Sequence, residues 1–427
     1  MNGLLKCDRG KANIERIEEA MQEFEYHHYQ HFISNSPWEY TPVISQVRKD
    51  SDELMYEERL KHQIPTGFIV DESSHLKRGD KSVGVARQYA GEIGKVDNCQ
   101  VGVYASLVTG TRSCLIDERL YLPKEWIEDK ARCDSAGVPE DERVFKTKPQ
   151  LALEMIDQAR DEGIHFDWVG GDGLYGHTYE LAKGLDERKL LFVLDIHKDQ
   201  HIYLSKPEIT LPEKSPGRGR PPTRLKVNIE PLRVDKYVAD LPNSDWKKVK
   251  IRKTAKGYLQ AWIHITTVWV WDGEENSARQ RTLIVRQDIG KKRKKGKIKY
   301  SLSNGSIADY TIKQFAYFQA QRYWVERDLQ NGKSELGMSD YQIRKWRGWH
   351  HHHAIVFMAM LFNLKERIKH EADYPLMSAR DARILVTTLI AQTMISDEPQ
   401  MAKELRLMEE RHRKRQFDID RHYLDSS

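Results

Sequence analysis

GFIVDES, at residues 67–73, begins a series of short β-rich runs separated by Gly, Lys, Asp and Asn residues. Three further runs follow it, KSVGVARQYAG at 81–91, NCQVGVYASLVTG at 98–110 and CLIDERLYLP at 114–123. Short runs rich in β-branched and aromatic residues, with turn formers between them, are typical of strands. We therefore predict three or four consecutive strands in this part of the chain.

Helical and strand patterns alternate after these runs. PQLALEMIDQARDEG at 149–163 predicts a helix, DWVGGD at 167–172 a strand, HTYELAKGLDE at 177–187 a second helix and LLFVLDI at 190–196 another strand. Successive strands followed by such an alternation favour a mixed sheet covered by helices. The predicted fold class is α/β.

The flanking regions have a different character. The first sixty residues carry apolar positions at helical spacing, and helical periodicity returns from Asp309, with breaks predicted near Gly332 and Gly348. Between them, residues 199–305 predict a β-rich insertion. The predicted organisation has five segments: a helical N-terminal domain at 1–62, the first part of the α/β domain at 63–198, the insertion at 199–305, the second part of the α/β domain at 306–375 and a helical C-terminal region at 376–427.

Composition places the 427-residue chain among globular proteins, with 39% hydrophobic and 31% charged residues. No run approaches the roughly 18 apolar residues of a membrane span, and the four cysteines match no zinc pattern. We expect a cytoplasmic, nucleoid-associated protein with no membrane partner. Net charge is only +5, but residues 201–300 hold 24 Lys and Arg against 10 Asp and Glu. That concentration suits a surface that follows phosphates, and a solvated lysine-rich insertion explains it equally well.

Two carboxylates follow apolar strand patterns. Asp71 ends GFIVD, and Asp172 follows DWVGG in a segment whose glycines would let a ligand approach the backbone closely. An aspartate at a strand end is, taken singly, more often a turn former than a metal ligand.

A third carboxylate, Glu326, belongs to a helical pattern. Gln319, Arg322, Glu326 and Lys333 are separated by three, four and seven residues, so on a continuous helix they share one face. An exposed face with an Arg–Glu pair is the structural alternative. Gly332 weakens the expectation of a straight helix through Lys333.

Three carboxylates suit a site for two Mg²⁺ or Mn²⁺ ions, since these hard cations prefer oxygen ligands. Two such ions can activate the attacking oxygen and stabilise the leaving oxygen of a phosphoryl displacement. Arg322 and Lys333 would then hold phosphates.

Four segments together resemble the bacterial insertion-sequence transposases of the DDE type: VDESSHLKRG at 70–79, GVARQYAGEIGKVDNCQVGVYASL at 84–107, GGDGLYG at 170–176 and RYWVERDLQNGKSELGMSDYQIRKWRGWHHH at 322–352. The resemblance covers about residues 10 to 400, and it implies that residues 1–62 form a DNA-binding domain and that residues 63–198 and 306–375 are the two parts of the catalytic domain. It implies an RNase H-like fold with a β-strand insertion before the catalytic Glu. The family signature Tyr-x2-Arg-x3-Glu-x6-Lys falls on Gln319, Arg322, Glu326 and Lys333, so only the Tyr position departs.

By this resemblance Asp71, Asp172 and Glu326 are the catalytic, metal-binding triad. It implies metal-dependent cleavage at the ends of a mobile element, then attack of the freed 3′-hydroxyl on target DNA, often through a hairpin. The implied partners are double-stranded DNA, as terminal inverted repeats and target, and a second copy of the chain in a synaptic dimer. Two alternatives stay open: a catalytically silent DNA-binding protein, and an RNase H-like nuclease without strand transfer.

Secondary candidates lie mainly in the insertion. Trp269 and Trp271 share a strand face and could stack on a displaced base, with sheet core as the alternative. Arg218 and Arg220 resemble the core of an AT-hook or a basic linker. The remaining candidate phosphate contacts are basic residues in two runs: Lys77, Arg78 and Lys81 after Asp71, and Lys292 and Arg293 in the insertion. Four histidines at 350–353 match no closed zinc pattern and favour packing or DNA contact.

Overall fold

The computed structural model describes residues 1–7, 11–21, 25–212, 223–254, 257–289 and 296–394, with a few further positions after 405. Contacts between Cα atoms divide the chain into two compact units. Unit 1 comprises residues 1–166, 255–257 and 323–427, and unit 2 comprises residues 167–254 and 258–322. Each unit is described by itself below.

Unit 1 contains four strands and ten helices in its described part. Its strands are β1 (Gly67–Leu76), β2 (Ala86–Ala90), β3 (Lys95–Thr109) and β4 (Arg112–Leu120). Its helices are α1 (Asn2–Lys6), α2 (Ile14–Met21), α3 (Tyr26–Ser34), α4 (Tyr40–His62), α5 (Lys124–Glu128), α6 (Lys130–Ala136), α7 (Lys148–Asp161), α12 (Tyr323–Leu336), α13 (Trp346–Lys369) and α14 (Ala379–Met394). The predicted N-terminal helices and the four predicted strands are present.

The strands of unit 1 pair around β3. β1 lies antiparallel to one edge of β3, while β2 and β4 lie antiparallel to successive parts of its other edge. β1 and β3 are almost entirely buried, because helices cover both faces of the sheet. On one face Lys148 of α7 reaches Glu72, and on the other Asp328 of α12 reaches Ser106.

Unit 2 contains ten strands and four helices in its described part. The strands are β5 (Trp168–Gly171), β6 (Phe192–Ile196), β7 (His201–Ile202), β8 (Ile209–Thr210), β9 (Lys226–Val227), β10 (Leu232–Arg233), β11 (Lys247–Thr254), β12 (Gly257–Val270), β13 (Arg279–Asp288) and β14 (Ile298–Ser303). The helices are α8 (Gly173–His177), α9 (Tyr179–Glu187), α10 (Val234–Ala239) and α11 (Ile312–Gln321).

The main sheet of unit 2 has the order β11-β12-β13-β14-β6-β5. β5 and β6 are parallel, whereas β14 joins β6 antiparallel and continues into the antiparallel β13 and β12. The strands β11 to β14 of the predicted insertion therefore extend the sheet that β5 and β6 begin. The mixed α/β fold, with helices flanking the sheet, agrees with the predicted RNase H-like fold class.

The chain leaves the helical conformation between Leu336 and Trp346, close to the breaks predicted near Gly332 and Gly348, but neither glycine is itself the break. Gly332 lies inside α12 and Gly348 inside α13. A Cβ atom on Gly348 would lie 2.4 Å from Cγ2 of Ile343 and 3.3 Å from the carbonyl oxygen of Ile33. These glycines allow close packing between elements, and that packing overrides their low helix propensity. The helices instead end at Gln321 and Leu336.

Among the described residues, no helix is long and apolar enough to cross a membrane.

Candidate active site

Asp71 lies in the middle of β1, with 9% of its surface exposed. It pairs directly with Tyr104 of β3, and directly opposed residues of an antiparallel pair project from the same face. Alternation along β3 then puts Ser106 on that face as well. Asp71 is therefore directed at the helical layer that contacts Tyr104 and Ser106. One of its carboxylate oxygens accepts a hydrogen bond of 2.8 Å from the backbone N–H of Glu72.

α12, which carries Glu326, lies on this same face. Ser106 and Ser113 both donate hydrogen bonds to Asp328, at 2.5 and 2.7 Å. Lys333 donates to the backbone carbonyl oxygen of Ser74 at 2.8 Å. Ser106 pairs with Ile69 of β1, so Asp328 lies beside Ile69 and Lys333 lies beside Ser74. α12 therefore runs in the same direction as β1.

The position of Glu326 follows from the contact between Lys333 and Ser74. Seven residues of helix advance about 10 Å and return to within about 20° of the same direction, so Glu326 shares the flank of α12 that faces β1. Asp71 precedes Ser74 by three strand residues, which is also about 10 Å. The face and the order of contacts thus bring Asp71 and Glu326 to the same part of unit 1. Glu326 is exposed at the start of α12.

Asp172 belongs to unit 2 and begins α8. Its carboxylate accepts a 2.9 Å hydrogen bond from the backbone N–H of Leu174, which caps the helix directly after the fully buried strand β5. The expectation that the neighbouring glycines leave room for a ligand is wrong at two positions. A Cβ on Gly173 would lie 2.7 Å from the His197 ring, and one on Gly176 would lie 2.0 Å from the carbonyl oxygen of Asp195.

Arg322 and Gln319 take part in a hydrogen-bonded chain inside unit 2. Gln319 donates to the Ser301 hydroxyl at 2.7 Å, and that hydroxyl donates to Asp195 at 2.5 Å. The other carboxylate oxygen of Asp195 accepts from Arg322 at 2.9 Å. Asp195 is a buried-strand carboxylate that the sequence analysis did not single out. Its only signal was an acidic residue inside the apolar run 190–196.

The basic residues after Asp71 differ in their surroundings. Lys77 donates to the carbonyl oxygen of Tyr341 at 2.7 Å, and its amine lies 3.4 Å from the centre of the Tyr341 ring. Burial lowers the pKa of Lys77 to about 7, against the opposing charge of Asp340. Arg78 and Lys81 are exposed. A phosphate contact is therefore easier to reconcile with Arg78 and Lys81 than with Lys77, and all three stay predictions.

The four histidines at 350–353 are buried in α13 and serve packing within unit 1. His350 lies 2.6 Å from a carboxylate oxygen of Glu118, and His353 lies 2.9 Å from the hydroxyl of Tyr104. Tyr104 in turn lies 2.7 Å from His75 of β1. Burial lowers the pKa of His352 to about 4, so this ring stays neutral near pH 7. His353 is thus linked through Tyr104 and His75 to β1, the strand that contains Asp71.

The structure describes two of the candidate residues in the insertion and leaves four outside the described residues. Trp269 lies on β12, with the Lys206 amine 5.5 Å from its ring centre, and Trp271 donates to the carbonyl oxygen of Glu275 at 2.7 Å. Both tryptophans are partly exposed, which leaves the stacking prediction open. Four basic candidates lie outside the described residues: Arg218, Arg220, Lys292 and Arg293.

Comparison with known protein families identifies the class. The family model of the DDE superfamily endonucleases matches residues 1–258, which is more than half of the chain. The chain belongs to this family and is an enzyme that acts on nucleic acid. The matched region includes Asp71 and Asp172 and ends before Glu326.

A second comparison gives a particular relative. The chain is 28% identical over 319 residues to a protein of Microchaete diplosiphon described as a probable transposase for insertion sequence element IS701. The alignment covers 73% of this chain and 67% of that protein. Together with the family match, it confirms the resemblance to DDE-type insertion-sequence transposases.

Proposed function

We propose that this enzyme is a cut-and-paste transposase, which cleaves DNA at the inverted repeats of its own element and joins the freed ends to target DNA. It would act as a homodimer on two element ends, in the bacterial cytoplasm at the nucleoid. Family membership and the similarity to the probable IS701 transposase support this proposal.

The observation that carries the proposal is the arrangement inside unit 1. Asp71 is directed from β1 towards the face on which α12 lies, and the helical spacing from Lys333 would put Glu326 on the flank of α12 that faces β1. Two carboxylates 255 residues apart in sequence are thus directed at a common region. Asp172, at the end of β5, would supply the third.

The donor set fits divalent metal ions. Asp71, Asp172 and Glu326 offer only carboxylate oxygens, which Mg²⁺ and Mn²⁺ prefer to nitrogen or sulfur. When bound, two such ions would activate the attacking oxygen and stabilise the leaving oxygen of phosphoryl transfer. The hydrogen bond from the Glu72 N–H keeps one Asp71 oxygen fixed in direction.

The basic residues would position the DNA. Arg78 and Lys81 are exposed after β1, and Lys333 lies on the Glu326 flank of α12, paired at 2.9 Å with a half-exposed Glu92. A phosphate could replace Glu92 at Lys333 at little cost, since ion pairs with an exposed partner contribute little. Arg322 would have to share its guanidinium between Asp195 and a phosphate.

The proposal is tested on DNA that carries the element ends. Purified parent protein, Asp71→Asn, Asp172→Asn and Glu326→Gln are incubated with labelled end DNA, target plasmid and Mg²⁺ or Mn²⁺. We expect nicked, hairpinned and joined products from the parent only. The matched controls are Asp161→Asn and Glu125→Gln, two exposed carboxylates outside the proposed site, and both should retain activity.

The product pattern also separates the alternatives. Cleaved but never joined DNA would favour a nuclease without strand transfer. Bound but uncut DNA would favour a silent DNA-binding protein. Cleavage without hairpins would remove only the hairpin step, while full activity of Glu326→Gln would refute the assignment of the third carboxylate.

A further inference from the structure

The edge of the main sheet in unit 2 presents an open aromatic and basic surface. β11 has β12 as its sole sheet neighbour among the residues that the structure describes. Val249 and Ile251 of β11 are buried against α11 on one face of the sheet. Lys248 and Lys250, which alternate with them, are exposed on the opposite face.

β12 adds two exposed aromatic rings to that opposite face. Its inward residues Ala261 and Ile263 pack with the same cluster against α11, so Tyr258 and Trp262 project from the other side. Their exposed fractions are 42% and 40%, high for large aromatic side chains within a strand. The Lys250 amine lies 5.5 Å from the centre of the Tyr258 ring.

Residues 237–245 cover the part of this face that begins at His264, directly after Trp262 on the same face. The next residue on the same face, His264, lies 3.1 Å from the Tyr237 hydroxyl of α10 and 3.1 Å from the carbonyl oxygen of Asp245. Val268, further along β12, is part of the buried cluster beneath α10. Residues 237–245 thus protect one half of the face, and the half that contains Tyr258 and Trp262 is left exposed.

We propose that this surface, formed by Lys248, Lys250, Tyr258 and Trp262, binds an unpaired DNA strand by stacking its bases on the two rings. The aromatic rings offer planes for base stacking, and the lysines offer charges for the phosphates. A duplex keeps its base faces stacked on each other, so the rings fit an unpaired strand. Tyr258 and Trp262 are four strand residues apart, about 14 Å, and would contact different bases.

The sequence beside this surface supports a polyanionic occupant. Trp262 pairs with Gln287 of β13, and Gln287 pairs with Ile298 of β14. The connection between these two strands includes KKRKK at 291–295. The sequence between these two strands thus adds five basic residues, a charge that suits a polyanionic occupant, although they lie outside the described residues.

Binding of an unpaired strand at this surface rests on the proposed function, because transposition exposes unpaired DNA. The binding can nevertheless be measured without catalysis. Binding of fluorescent (dT)15 is measured by anisotropy in EDTA, with a blunt 15-bp duplex measured in parallel. We expect Trp262→Ala and Tyr258→Ala each to weaken binding of (dT)15 about tenfold, while duplex binding stays unchanged. Trp262→Phe, which retains an aromatic plane, should bind (dT)15 within about twofold of the parent.

The charge contribution has its own readout. Lys248→Gln combined with Lys250→Gln should lower the slope of log affinity against log salt for (dT)15 by about 1.4, since each phosphate contact of a single strand contributes about 0.7. The control pair Lys61→Gln and Lys130→Gln removes two exposed charges elsewhere and should leave the slope unchanged. Tyr89→Ala, at a 63% exposed ring, is the aromatic control.

Equal losses for (dT)15 and duplex, or parental binding by Trp262→Ala, would overturn the proposal. Circular dichroism spectra of the variants would have to match that of the parent for these comparisons to count. Asp161→Asn, at an exposed carboxylate outside the proposed active site, should bind (dT)15 like the parent. A protein that binds (dT)15 through Trp262 but fails to cleave end DNA would therefore refute the transposase proposal alone, and the reverse result would refute only the strand-binding surface.

Discussion

The replacement Asp328→Asn should stabilise the protein at neutral and alkaline pH. Burial is the largest cause that raises the pKa of Asp328 to about 7, although Ser106 and Ser113 donate hydrogen bonds to it. Ser106 also lies 3.0 Å from the carbonyl oxygen of Cys114. Its single hydroxyl proton can serve only one acceptor, so a protonated Asp328 that donates to Ser106 satisfies every group. An asparagine amide can do the same.

The size of the effect follows from the shift in pKa. The unfolded chain releases this proton near pH 3.8 and the folded chain near pH 7. Between these values the folded state holds more protons, so the stability of the parent falls as the pH rises. A shift of about three pKa units corresponds to about 4 kcal/mol, lost between about pH 4 and 7 and constant above. The asparagine side chain of the variant cannot ionise and avoids this loss.

The assay is urea unfolding of parent and Asp328→Asn from pH 4 to pH 9. Taking the difference between the two proteins cancels the titration of all other groups. We expect the variant to gain stability relative to the parent up to about pH 7 and then to reach a plateau. Asp161→Asn, at an exposed carboxylate, is the control and should show no such trend. A difference independent of pH would refute the argument that Asp328 is protonated in the folded state.

Three further predictions concern packing, buried charge and DNA contact. Gly348→Ala should destabilise unit 1 by about 1–3 kcal/mol in urea unfolding, because the added methyl would lie 2.4 Å from Ile343. Arg48→Met should cost about 3 kcal/mol in the same assay, because the buried Arg48 pairs with both Asp117, at 3.0 Å, and Glu162, and its loss leaves the 1% exposed Asp117 carboxylate paired with Arg119 but not with Arg48. Arg322→Ala should lower the salt slope of end-DNA binding by about 1 if its guanidinium contacts a phosphate, and an unchanged slope would leave it only its role beside Asp195.

Sequence patterns predicted the elements of this fold better than their ends. Runs rich in β-branched and aromatic residues, with turn formers between them, identified β1 and β3, because buried strands favour that composition. The break expected near Gly332 and Gly348 is present at residues 337–345, but the two glycines themselves are helical for a physical reason. Glycine lowers helix propensity, yet it also lets helices approach closely, and sequence alone does not show which effect decides.

The histidine run illustrates a second limit. Four adjacent histidines point in four directions from a helix and match no closed zinc pattern, so the sequence favoured packing or DNA contact. What each direction meets depends on distant segments: His351 lies 2.8 Å from the carbonyl oxygens of both Ile33 and Trp38, more than 300 residues earlier. Burial of a polar side chain requires such partners, and only the fold supplies them.

The positions of the family signature show what helical spacing can and cannot predict about a site. Spacing fixes the angle between two side chains on one helix, so it reliably put Glu326 and Lys333 on a common flank of α12. It does not reveal what that flank faces. Gln319 and Arg322 face the Ser301–Asp195 pair in unit 2. The Arg322 guanidinium, which we predicted to bind a phosphate, therefore already has a carboxylate partner. At the position where the family signature has Tyr, the Gln319 amide donates to the Ser301 hydroxyl, and the Ser301 hydroxyl donates to Asp195. A catalytic role for Arg322 therefore depends on competition between Asp195 and DNA, which no pattern along the helix could have indicated.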